Sequence, residues 1–150
     1  MKAIRNAIAA AAMLAPMTAE AQGGLVRQEF CHGLERVLDS ARDEGGFLFL
    51  ERARAAPPHL DFRHGCRATG DRKRQYWLCT QNLAPAGMSR EALDQRVAAC
   101  LPGAIRSTED YGHESIFTLP HARIRIREHG GPKAKVGRVV TLVVEATPEA

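Results

Sequence analysis

Aromatic residues are scarce in this 150-residue chain, with one Trp, two Tyr and five Phe, so few side chains are available to stack on the bases of a single strand. No apolar run approaches the roughly 20 residues that a membrane-spanning helix needs. The spacings that carry common chemistries are also missing. There is no C-x-x-C pair for redox work, no H-E-x-x-H for zinc, no G-x-S-x-G elbow, and no glycine-rich phosphate loop or dinucleotide fingerprint. Serine is sparse. These absences leave no cofactor to expect and argue against the familiar nucleophilic and nucleotide-binding enzymes.

What is present begins with a leader. Lys2 and Arg5 precede an apolar run from Ala7 to Ala15, and a polar stretch then ends in Ala19-Glu20-Ala21. This is the layout of a secretory signal peptide with an A-x-A site, cut after Ala21. The next residue is Gln22, so a lipid anchor has no cysteine to attach to at that point. Residues 1 to 21 are therefore set apart, and residues 22 to 150 form one domain, large enough to bury a core. Cleavage removes Lys2, Arg5 and Glu20, which lowers the formal charge of +4 by one unit. So mild a charge, balanced by acids such as Glu35, Asp39, Asp43 and Glu44, does not argue for nucleic acid. Abundant Ala and Arg with little Lys fits a GC-rich bacterial genome, and with the leader it points to a periplasmic or secreted protein with no membrane span after cleavage.

All four cysteines, Cys31, Cys66, Cys79 and Cys100, lie beyond the leader. An even count in a small exported chain reads as disulfides, for which three pairings exist. The stretch "CRATGDRKRQYWLC" chooses among them. Opposed positions of an antiparallel hairpin share a constant index sum, so Cys66 opposite Cys79 also sets Arg67 against Leu78, Ala68 against Trp77, Thr69 against Tyr76 and Gly70 against Gln75. Asp71 to Arg74 then form a four-residue loop around a type I turn. Directly opposed cysteines have Cβ atoms near disulfide separation. Cys66–Cys79 is the expected bridge, and Cys31–Cys100 the remaining one.

Both remaining cysteines fall on helical patterns. Phe30, Leu34, Val37, Leu38 and Ala41 recur at helical spacing before Gly45-Gly46, with Cys31 at the edge of their stripe. Ser89 is a natural N-cap with Glu91 in the first turn, and Leu93, Val97, Cys100 and Leu101 share a face before Pro102-Gly103. "FLFLE" from Phe47 reads as a short buried strand, with a continuing helix as the alternative. Pro57 and Pro58 mark a connection. Strands follow near Ser115 to Leu119, from Ala122 to Glu128, and from Arg138 to Glu145. The order predicts an α+β fold: an antiparallel sheet of about four to five strands with two helices packed on one face, stapled by disulfides. In general outline it resembles small chaperone-like α/β sandwiches.

The strand "ARIRIRE" turns Ala122, Ile124 and Ile126 inward and Arg123, Arg125 and Arg127 outward. Three guanidinium groups at roughly 7 Å spacing, extended by Arg72, Lys73 and Arg74 at the hairpin tip or by Lys133, Lys135 and Arg138, form a row that suits phosphates or carboxylates. The plainer account is a solvated face whose charges discourage aggregation. Tyr76 and Trp77 point to opposite faces, so an exposed Trp77 beside the basic tip would anchor a partner, and a buried one would not. Among six histidines, His59 and His64 share a segment with Asp61 and Cys66, but no recurring ligand spacing supports a metal site. His113 and Ser115, with Glu109, Asp110 and Glu114 nearby, are the candidates for a small hydrolase. The expectation is an exported binding or accessory domain whose basic sheet face, with Trp77, contacts an anionic envelope polymer or an acidic protein, the hydrolase being the alternative.

Overall fold

The computed structural model of the protein describes residues 19–43, 46–52, 60, 62, 65–71, 74–82, 89–130 and 138–147. The expected leader lies mostly outside these residues, as do Arg72, Lys73, Lys133, Lys135, His59, Asp61 and His64. In chain order the elements are helices α1 (Ala19–Ser40) and α2 (Gly46–Arg52), strands β1 (Cys66–Gly70) and β2 (Gln75–Asn82), and helix α3 (Arg90–Cys100). Strand β3 (Ile105–Glu109), a 3-10 turn over Asp110–Gly112, and strands β4 (Glu114–Thr118), β5 (Ala122–His129) and β6 (Val139–Ala146) follow. All six strands pair antiparallel in the order β1-β2-β6-β5-β4-β3.

Two expectations need correction. The apolar run after Gly45 is a helix and not a strand, because Phe47 and Leu50, three residues apart, are both buried and helical spacing puts both on one side. Phe47 meets the ring of Trp77 at 6.5 Å between centroids. The sheet also has six strands, since Ile105–Glu109 forms an edge strand that is exposed at every position and so carries no alternation of burial.

The hairpin has the register that the cysteine spacing dictates, Cys66 against Cys79 through Gly70 against Gln75. Thr80 donates its N–H to the Gly65 carbonyl at 3.5 Å, which places Cys66 and Cys79 at the next, non-hydrogen-bonded position, where strands approach most closely. Their Cα atoms are 4.1 Å apart and the disulfide is formed. Gly70 starts the turn with φ at +102°, and a Cβ there would lie 2.0 Å from the Arg74 carbonyl oxygen. Only glycine fits.

Ser89 caps α3 by accepting the Ala92 N–H at 3.2 Å. Leu93 and Val97 of this helix, Phe30, Leu34, Val37 and Leu38 of α1, and Phe47 and Leu50 of α2 share one buried cluster with the sheet. The strand members of that cluster, among them Trp77, Cys79, Phe117, Ile124, Ile126, Leu142 and Val144, all lie on one face by register. Cys31–Cys100 joins α1 to α3 across 69 residues of sequence.

Closing a loop of that length removes about 4 kcal/mol of unfolded-chain entropy, against about 3 for the hairpin bridge. Accordingly, Cys31→Ala/Cys100→Ala should lower unfolding free energy by about 4 kcal/mol and Cys66→Ala/Cys79→Ala by somewhat less. Urea titrations of the two double variants would check the order.

Candidate functional site

On β5 the alternation turns Arg123, Arg125 and Arg127 away from the helices. Register then sets Glu145, Val143 and Thr141 beside them on β6, and Thr118, Ile116 and Glu114 on β4. The three arginines are not equivalent. Arg125 grips Glu114 with two prongs, Nε to Oε1 at 2.9 Å and Nη2 to Oε2 at 3.2 Å, and reaches Glu145 at 3.3 Å. Glu114 is only 4% exposed, so an unpaired carboxylate there would be costly. The bond to Glu114 is the main reason the Arg125 guanidinium holds its proton more firmly than usual, while burial opposes it. Arg127 is paired with Asp110 at 2.8 Å. Arg123 alone is exposed and makes no ion pair among the described residues. Among the described residues the expected row of three free cations is thus one, because carboxylates on neighbouring strands neutralise Arg125 and Asp110 of the 3-10 turn neutralises Arg127.

Around Arg123 the register defines one continuous row across the sheet: Thr69, Tyr76, Glu145, Arg123, Thr118 and Ile105. Tyr76 is half-buried, and Ile105 is 73% exposed, the only large apolar side chain so exposed among the described residues. No described helix joins a core cluster on this face. The hairpin tip, with exposed Arg74, is at the same end. Trp77 is not available as an anchor: it is 1% exposed, on the helix-facing side against Phe47. Ile105 escaped sequence reasoning, although an isolated isoleucine among polar residues in "AIRSTE" was the signal.

The hydrolase candidates do not converge. Ser115 is on the helix-facing side, 1% exposed, and its Oγ accepts from Arg90 Nη1 at 3.1 Å. His113 caps the 3-10 turn, exposed, and shares no hydrogen bond with Ser115. Glu114 faces the opposite side, Asp110 is held by Arg127, and Glu109 is exposed. Cys66, bonded to Cys79, has no thiolate to offer a metal.

Sequence reasoning also missed a polar cleft of about 260 Å³ between α3 and the β3–β4 strip. Asp94, buried on α3, pairs there with Arg106 of β3. Its signal was an acid three residues before Val97 and seven before Leu101, inside the apolar stripe. At the start of the same helix, Glu91 bonds Arg90 at 3.1 Å. Its carboxyl is held below its ordinary value of 4.5, first by a backbone N–H of the first turn and then by Arg90. Comparison with protein-family models, curated proteins and solved structures finds no match for this chain.

Two outcomes follow from this geometry. Arg125→Gln strands Glu114 and should cost about 2 kcal/mol, less than for a fully buried pair because Arg125 is 37% exposed. Arg123→Gln should stay within about 0.5 kcal/mol, and equal losses in chemical denaturation would contradict the pairing. The lowered Glu91 value stabilises the fold above the unfolded-state pKa and is lost as pH falls through the folded one. Glu91→Gln should therefore melt earlier than wild type at neutral pH and match it at about pH 2.

Proposed function

We propose that the protein is an exported, non-catalytic binding domain that docks an acidic protein surface on the end of its sheet where Arg123 stands between Tyr76 and Ile105. The observation that carries this reading is that row, in which Arg123, with no ion pair among the described residues, stands two strands from the half-buried Tyr76 and two from the largely exposed Ile105 on one face. Aromatic and arginine side chains are the usual anchors at the centre of protein interfaces. Arg123 would meet a carboxylate, and Ile105 an apolar seat, about four strand spacings from Tyr76. The apolar members of the row favour a protein over a polyanionic polymer, which would use charge alone. Two disulfides suit an oxidising compartment, in agreement with the secretory leader and a periplasmic or secreted address.

The test is capture from envelope extract on the oxidised protein with elution by rising salt, followed by affinity measurements on the captured component. An acidic protein should elute at moderate salt. Arg123→Glu and Ile105→Ser should each weaken its binding by about tenfold or more. A captured polymer, or binding unmoved by either variant, would overturn the proposal.

A further inference from the structure

On the other side of the sheet, two polar side chains occupy positions where the core pattern calls for apolar ones. Asp94 of α3 is 3% exposed and Ser115 of β4 is 1% exposed. Leu93 and Val97 on the helix and Phe117 and Ile126 on the sheet are buried around them. Burying such groups costs free energy unless partners satisfy them. The satisfaction here is incomplete. Asp94 Oδ2 accepts from Arg106 Nη2, but Oδ1 is buried with no hydrogen-bond partner. Ser115 Oγ accepts from Arg90 and donates its own proton to no partner among the described residues. Arg106 uses only Nη2 among the described residues, so Nε and Nη1 remain to be given away.

All four residues line the same cleft, and Glu91, Gln95, Ala98 and Thr108 complete its wall. Oδ1 is closed off from solvent as Asp94 and Arg106 now pair, so a ligand matched to the cleft brings a donor to the Asp94 carboxylate once Arg106 has shifted, and an acceptor to Arg106 and Ser115. The charges agree with that demand, because Arg90 and Arg106 are balanced by Glu91 and Asp94, so neither a simple anion nor a simple cation is favoured. A volume of about 260 Å³ gives room for one small molecule. We infer that the cleft is a binding site for a free α-amino acid, its ammonium on Asp94 and its carboxylate on Arg106. Arg106, half-exposed on an edge strand, is the side chain that shifts to admit it. The site is independent of the Arg123 row, from which the thickness of the sheet separates it.

Titration calorimetry of the oxidised protein with each of the common L-amino acids tests this, with N-acetyl and methyl-ester derivatives of any that bind. At least one free amino acid should bind with a Kd below about 1 mM, and blocking either terminus should weaken it at least about tenfold. Asp94→Asn, which keeps the shape but removes the charge, should weaken binding by a similar factor. Should that variant fail to fold, Arg106→Gln at the half-exposed partner decides the question with the same expected loss. No binding below about 10 mM, equal binding of the blocked derivatives, or undiminished binding by the folded variants would overturn the inference.

Discussion

The pairing of β5 with β6 governs both faces of the sheet at once. Ala122, Ile124 and Ile126 lie beside Ala146, Val144 and Leu142 at the centre, and all but Ala146 are buried against the helices. A slip of one residue would turn Arg123, Arg125 and Arg127 beneath those helices and expose the apolar set. Among the described residues the helices bury one carboxylate, Asp94, which is already paired with Arg106, so the register is held by what the wrong one would bury. The outer strands inherit it. Glu114 reaches Arg125 only because β4 is registered on β5, and the Tyr76–Arg123–Ile105 row exists only because four ladders agree.

The two faces treat a buried acid in opposite ways. Glu114 and Asp94 are similarly hidden, and each is met by an arginine from an adjacent element. Arg125 engages both oxygens of Glu114 and closes the site. Arg106 engages one oxygen of Asp94 and leaves the other without a partner. The first arrangement consumes the polarity of the arginine row within the sheet, while the second keeps polarity in reserve beside a cleft. Charge density on the sequence therefore marks the less reactive location.

Local rules were readable in the sequence wherever one segment contained the whole argument. The hairpin register followed from Cys66 and Cys79 alone, the start of α3 from Ser89, and the inward set of β5 from strict alternation. Where two distant segments decide the outcome, the residues carry no such mark. Nothing in "ARIRIRE" says that Glu114 and Glu145 will neutralise its middle arginine, and nothing in "ALDQRV" says that Arg106 will meet Asp94. The run after Gly45 was ambiguous because four consecutive apolar residues satisfy both periods. Strand β3 was silent because an edge strand exposed throughout needs no alternation, only the hydrogen bonds of β4.

The place of β6 in the sheet bears on the order of assembly. It is the last strand in the chain and yet lies between β2 and β5, so the β1–β2 hairpin and the β3–β4–β5 meander share no strand ladder until it arrives. The hairpin has two strands, marginal by themselves in water, and the meander three, and each has an apolar face and an edge that only β6 covers. The β2–β6 ladder joins residues 57 to 69 positions apart, the kind of long-range closure that slows folding. Closure of the core is thus one event and not two, because β6 supplies a partner edge to both pieces at once.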